Sequence, residues 1–168
     1  CGSMEVIIRE TAEEGSLLAA KILERRIRED PACVLGLATG STPIRTYAEL
    51  VRMHREEGLD FSRTTTFNLD EYLGLPGDHP ESYRYFMRRH LFDHVNLDPE
   101  RTYLPDGMAE DPRKACRNYE ARIRESGGID LQVLGIGVNG HIGFNEPTGS
   151  LGGRTWMKIL SEDTIREN

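Results

Sequence analysis

Cys33-Val-Leu-Gly-Leu-Ala-Thr-Gly-Ser-Thr-Pro43 decides the fold. Residues 33–38 form a continuous apolar run without polar alternation, the pattern of a strand covered on both faces. Thr39-Gly-Ser-Thr42 breaks the run, and Pro43 suits the first turn of a helix, where a missing N–H leaves nothing unpaired. The segment therefore reads strand, tight polar loop, helix. The helix is predicted to run to about Glu57.

Outward from that unit the same alternation continues. Upstream, residues 4–8 read as a short strand, and Thr11-Ala-Glu-Glu14 matches a capping box at the start of a helix. Ala19, Leu23 and Ile27, flanked by Leu18 and Ile22, give that helix one apolar face, and Asp30-Pro31 ends it. Downstream, residues 64–68 form the next strand, with Asp70-Glu71 just past its end. Residues 80–92 are predicted as a helix and residues 101–104 as a short strand. Asp111-Pro112 caps a further helix with Ala115, Tyr119 and Ile123 on one face and Gly127-Gly128 after it. Residues 131–136 read as another buried strand, and residues 155–160 as the last. Strands alternating with helices imply a parallel sheet with right-handed crossovers. The expected fold is a Rossmann-like, three-layer α/β domain over residues 4–168, with helices on both faces. Cys1-Gly2-Ser3 ahead of Met4 reads as an expression scar.

Composition bounds the function. The chain has 168 residues, 38% of them hydrophobic, enough for one domain with a substantial core. No apolar run approaches the roughly eighteen residues of a membrane span, and no secretory segment follows the N-terminus. A formal charge of −7 argues against a nucleic-acid partner, which normally meets a basic face. The three cysteines, Cys1, Cys33 and Cys116, lack metal spacing and are odd in number, which favours a reduced, cytoplasmic protein.

In doubly wound sheets ligands bind beyond the carboxyl ends of the strands. Three polar clusters fall there: residues 39–43, 68–72 and 137–146. Thr39, Gly40, Ser41 and Thr42 stand between strand and helix in the form of a phosphate cradle, since helix N-terminal amides are unpaired and electropositive. The spacing is not that of a nucleoside triphosphate loop. A simple N-capped helix would show similar small residues. Of Asp70 and Glu71, adjacent residues leaving a strand, at most one is expected to face a ligand, where it would serve as a general base. In Leu134-Gly-Ile-Gly-Val-Asn-Gly-His-Ile-Gly-Phe-Asn-Glu-Pro147, His141 supplies the imidazole, Glu146 an acceptor for it, and Asn139 hydrogen bonds without proton transfer. No nucleophile and no metal-ligand set stands out. His54, His79, His90 and His94 read as surface or packing residues. Carboxylate, histidine and phosphate cradle together suggest proton-transfer chemistry on a small phosphorylated substrate.

Four ordered motifs, Gly36-Leu-Ala-Thr-Gly-Ser-Thr-Pro43, Phe67-Asn-Leu-Asp-Glu-Tyr72, His79-Pro-Glu-Ser-Tyr83 and Gly140-His-Ile-Gly-Phe-Asn-Glu-Pro147, closely resemble the glucosamine-6-phosphate deaminase family over residues 4–168. The resemblance implies conversion of glucosamine 6-phosphate and water to fructose 6-phosphate and ammonia, with no cofactor and no metal. It assigns ring opening to His141 oriented by Glu146, proton transfer between C2 and C1 to Asp70, and phosphate binding to Thr39, Gly40, Ser41 and Thr42. Asn139 stands where many members carry an Asp that assists ring opening. The family pattern continues beyond Asn168 through a phosphate-binding Arg, a Lys and further sheet elements, so the chain looks C-terminally truncated and is expected to bind substrate poorly alone. Lys158 and Ser150 match the effector region of allosteric members, whereas Gly149 and Trp156 replace a Ser and an Arg. Activation by N-acetylglucosamine 6-phosphate is therefore not expected. Members range from monomers to hexamers, so a homo-oligomer stays open. Two rival readings are a 6-phosphogluconolactonase-like hydrolase, which shares the fold and a Gly-His, and a non-catalytic sugar-phosphate effector domain. Phe144-Asn-Glu-Pro147 favours the deaminase over the first, and the retained Asp70, His141 and Glu146 over the second.

Overall fold

The computed structural model describes residues 4–147 and 153–158. Its elements follow in the order α1 (Ala12–Glu29), β1 (Val34–Leu37), α2 (Ile44–Glu57), β2 (Thr65–Asn68), α3 (Tyr83–His90), β3 (Thr102–Tyr103), α4 (Pro112–Glu125) and β4 (Leu131–Gln132). All strand pairs are parallel and the sheet order is β3-β2-β1-β4. The chain builds outward from β1 to β3, then crosses back to place β4 on the other side of β1. That reversal puts the topological switch point between β1 and β4, where doubly wound sheets open a ligand crevice.

Local chemistry sets the helix ends. The Thr11 hydroxyl accepts the Glu14 amide at 3.2 Å, and the Glu14 carboxylate reaches back to the Glu10 amide at 3.2 Å. Gly58 takes the left-handed conformation (φ 67°) that closes α2. Asp111 caps α4 by accepting the Lys114 amide at 3.0 Å, with Pro112 in its first turn. Gly127 and Gly128 follow at positive φ.

Alternation along the strands sorts side chains between two layers. Leu35 and Leu37 join Ala20, Leu23 and Ile27 of α1, Tyr47, Leu50 and Met53 of α2 and Met87 of α3 in one buried core. Phe67, alternate to the inward face of β2, meets Tyr103 (4.9 Å between ring centres) and Tyr119 of α4 (5.7 Å). Helices α1–α3 thus cover one face and α4 the other, the expected three layers.

One bond pair at the end of β1 holds the loop that follows. Tyr47, fully buried, donates its hydroxyl to the Ala38 carbonyl and accepts the Ala38 amide at 3.2 Å. Tyr47→Phe would leave both backbone groups buried and unpaired, costing about 2–3 kcal/mol. A thermal melt should show the lower midpoint, and an unchanged midpoint would show that solvent replaces the hydroxyl.

Several expected elements are corrected. Residues 4–8 form no strand: Met4, Val6 and Ile8 are largely exposed, and no described strand pairs with them. An isolated extended segment has no ladder partner for its amides, so an apolar pattern alone cannot make it a strand. The strand expected over residues 131–136 shortens to Leu131–Gln132, leaving Leu134 and Ile136 exposed. Its apolar run signalled a covered face, yet the described residues cover only its start. The helix expected from residue 80 starts at Tyr83, because Ser82 stays extended and caps it by accepting the Tyr85 amide at 3.1 Å. Residues 155–158 are not strand, and residues 159 and 160 lie outside the described residues, as do 1–3, 149 and 150. His54, His90 and His94 sit in packing or surface roles, His54 with the Leu59 carbonyl at 2.7 Å and His90 against Phe86.

Candidate active site

Asp70 and Glu71 leave β2 in different directions, and the structure separates their roles. Glu71 turns toward the start of α3. Its Oε1 accepts the amides of Tyr72 and Tyr83, both at 2.9 Å, and its Oε2 accepts the Arg84 amide at 3.0 Å. A carboxylate holding the free N–H groups of a helix N-terminus is well satisfied. Asp70 faces the loop of residues 142–146 instead. Phe144 donates its backbone N–H to the carboxylate. Gly143 (φ 57°) passes so close that a Cβ there would stand 3.0 Å from Asp70 Oδ2 and 2.5 Å from Leu69 Cδ2. Only glycine fits that approach.

Burial pushes the Asp70 carboxyl up to about 7, with the neighbouring Glu71 charge adding to the rise and the Phe144 amide opposing it. A carboxylate whose proton affinity is raised to neutrality by desolvation beside a like charge is the environment expected of a general base. Three aromatic rings pack against one another beside it. Tyr72, Tyr83 and Phe144 lie 4.8–5.7 Å apart centre to centre, and the Tyr83 hydroxyl donates to that of Tyr72 at 3.2 Å. Tyr83 also hydrogen-bonds the Thr39 side chain, and burial drives its phenol well above the usual range. On the α4 side Tyr119 donates to the Asn68 carbonyl at 2.6 Å. The Asn68 side-chain amide is buried with neither atom paired, and nothing in the structure explains it.

The loop carrying His141 is organised by its own backbone. The Gly137 amide donates to the His141 carbonyl (2.8 Å) and Gly140, at φ 88°, donates to the Gly137 carbonyl (2.9 Å). The imidazole occupies the space a side chain on Gly137 would need. His141 Nδ1 lies 2.6 Å from Asn139 Oδ1, which also accepts the His141 amide at 3.0 Å, while Asn139 Nδ2 donates to Glu146 Oε2 at 3.4 Å. Those three bonds fix which end of the Asn139 carboxamide is oxygen. An amide oxygen only accepts, so Nδ1 carries the proton and Nε2 of the neutral ring is the basic nitrogen. The sequence pairs His141 with Glu146; the structure sets Asn139 between them, so the residue that departs from the common Asp still orients the ring.

Gly40 takes positive φ (102°), and Gly40, Ser41 and Thr42 are exposed while Thr39 is half-buried. Pro43 at the start of α2 makes no side-chain cap bond, which leaves the helix N-terminus uncapped by side chains and suited to an anion. The loop reaches Asp70 through Thr39 and Tyr83. It does not line the cavity beside Asp70, a space of about 580 Å³ bounded by Asp70, Tyr72, Tyr119, Phe144, Asn145 and Trp156 among others. Segment 153–158 closes one side of that cavity: Trp156 donates to Asn145 Oδ1 at 3.3 Å, and the Thr155 amide to Glu120 at 2.7 Å.

Every charged member of this cluster is legible in the sequence, whereas its aromatic walls are not. Tyr72 and Tyr83 each end a quoted motif, and Phe144 lies inside one, yet nothing in their spacing shows that the rings meet. Neither cysteine competes as nucleophile: Cys33 is buried, which pushes its thiol up to about 11, and burial also raises Cys116.

Fold and site together define a doubly wound α/β protein with a cluster of titratable side chains beyond the carboxyl ends of its strands. The chain belongs to the family described as glucosamine-6-phosphate isomerases/6-phosphogluconolactonase, whose model matches residues 8–143. It is 53% identical over 165 residues to a glucosamine-6-phosphate deaminase of Clostridium perfringens, covering 98% of this chain and 68% of that protein. A second such deaminase, from Thermoanaerobacter sp., is 52% identical over 98% of this chain and 65% of its own length. The chain thus spans about two thirds of the length of these curated relatives. The solved structure of a monomeric glucosamine-6-phosphate deaminase superimposes with a TM-score of 0.95 at 47% identity, covering 98% of this chain and 68% of that one. A 6-phosphogluconolactonase from Thermotoga maritima shares the fold alone, with a TM-score of 0.66 at 22% identity over 82% of this chain and 61% of its own.

Proposed function

We propose that this chain carries the isomerisation–deamination chemistry of glucosamine 6-phosphate, giving fructose 6-phosphate and ammonia. The observation that carries it is Asp70: a half-buried carboxylate poised near neutrality, beneath the loop that presents His141, Asn139 and Glu146. In this reading the Nε2 atom of His141 takes the C1 hydroxyl proton and returns it to the ring oxygen, opening the pyranose. Asn139 holds Nδ1–H, and the Glu146 charge supports the imidazolium that forms in passing. Asp70 then removes the C2 proton and returns it to C1. The resulting C2 imine adds water and expels ammonia. Thr39, Gly40, Ser41 and Thr42, at the uncapped start of α2, bind the phosphate and spend remote binding energy on positioning C1 and C2.

The reading requires no cofactor, and it places the protein in the cytoplasm, in keeping with buried Cys33 and half-buried Cys116 as free thiols. No helix among the described residues is long and apolar enough to cross a membrane. Ammonia release from glucosamine 6-phosphate, measured beside hydrolysis of 6-phosphogluconolactone, tests it. Ammonia without lactone hydrolysis is expected; the opposite result would move the chain to the lactonase side of its family, and phosphosugar binding with neither turnover would support an effector domain.

A further inference from the structure

Asp70 lies just past the carboxyl end of β2, one residue from another carboxylate, on the wall of the cavity. Away from the cavity it is backed by a single packed unit. Glu71 grips the amides of Tyr72, Tyr83 and Arg84 at 2.9–3.0 Å and so fixes where α3 begins. Tyr83, the first residue of α3, is thereby laid against Phe144 (5.7 Å) and Tyr72 (4.8 Å), and its hydroxyl bonds Tyr72 and Thr39. Phe144 in turn supplies the amide that touches Asp70. One ring therefore connects all three clusters: the 39–42 loop, the end of β2 and the 137–146 loop.

We infer that Tyr83 is a positioning residue for Asp70, its ring bracing Tyr72 and Phe144, which border that carboxylate, and so limiting the water that reaches it. The inference rests on the reading of Asp70 as the C2 base and deepens it. The titratable and charged groups around Asp70 are Glu71 on its own segment, Tyr72 and Tyr83 toward α3, Tyr119 and Glu120 on α4, Arg154 and Lys158 on the cavity wall, and His141 and Glu146 in the facing loop. Glu71 is tied up by three amides, and burial holds Tyr83 and Tyr119 neutral across the physiological range. Enclosure is then the variable that a change at position 83 alters most. The ring, rather than the hydroxyl, excludes water, so Phe at this position should keep the effect and Ala should lose it.

Carboxyl carbon NMR reads the Asp70 titration without substrate, its resonance assigned as the one missing in Asp70→Asn. Tyr83→Ala is expected to lower the titration midpoint by about one pH unit or more, since water readmitted to a buried carboxylate restores its charge. The acid limb of kcat/KM should move down by the same amount. Tyr83→Phe is expected to leave the midpoint in place and to raise KM instead, through loss of the bond to Thr39. Should Tyr83→Ala not fold, Tyr83→Val is read in the same way. A midpoint unmoved in a folded small-residue variant overturns the inference, as does a midpoint displaced equally in Tyr83→Phe. Because the titration needs no turnover, absence of ammonia release would sink the proposed reaction while leaving this measurement intact.

Discussion

Asp70→Asn should reduce ammonia release from glucosamine 6-phosphate by about 10²–10⁴, the usual contribution of a positioned general base, while making the protein more stable at neutral pH. The two effects have one cause. Burial and the Glu71 charge raise the Asp70 carboxyl to about 7 from its ordinary 3.8. Between those values the folded protein holds a proton that the unfolded chain has released, so stability is greatest at the acid end and falls as pH rises toward 7. A neutral carboxamide of nearly the same shape removes that loss. Above pH 7 the variant should therefore exceed the parent by on the order of 2 kcal/mol, given about 1.4 kcal/mol per pH unit and partial solvent access. The parent's kcat/KM should rise with pH through an acid limb near 7, since the base acts only when ionised. Denaturant melts at several pH values, paired with initial rates, check all three statements. A variant that loses activity without gaining stability would mean that Asp70 is not held against its own charge.

His141→Asn should lower turnover by a comparable factor, about 10²–10³, with little change in melting temperature. The ring is half-buried in a loop, so its removal empties little of the core. What it removes is the Nε2 atom proposed to open the sugar, on the ring whose Nδ1 bonds Asn139. The substituted carboxamide can still accept and donate hydrogen bonds but cannot carry a proton at neutral pH. Substrate binding should survive, because the proposed phosphate anchor lies in the separate 39–42 loop. A kcat that falls while KM holds is the expected pattern. A rise in KM with kcat intact would instead make His141 a binding residue and leave ring opening to another group.

Much of this site is legible in the order of residues. Capping at Thr11 and Asp111, the apolar run at residues 33–38 and the breaks at Asp30-Pro31 and Gly127 are local signals, and the helices and central strands follow them. The same order places the 39–43 and 68–72 clusters at strand ends, while the 137–146 cluster begins five residues past the end of β4. Residues 4–8 and 133–136 mislead for a physical reason: an apolar pattern states what a segment would bury, and pairing requires a neighbour that the pattern does not name. The choice between Asp70 and Glu71 is likewise open at the level of sequence, since alternation shows that the two diverge but not which one finds partners.

Local sequence suffices for the parallel α/β class, the family, and the candidate site residues, because each rests on periodicity or on motifs within a few residues. The states of those residues come from tertiary contacts. Folding gives Glu71 three amides and Asp70 aromatic neighbours, sets Asn139 between His141 and Glu146, and joins Thr39 to Phe144 through Tyr83. Those outcomes depend on desolvation and on contacts between residues tens of positions apart, and neither is written in local spacing.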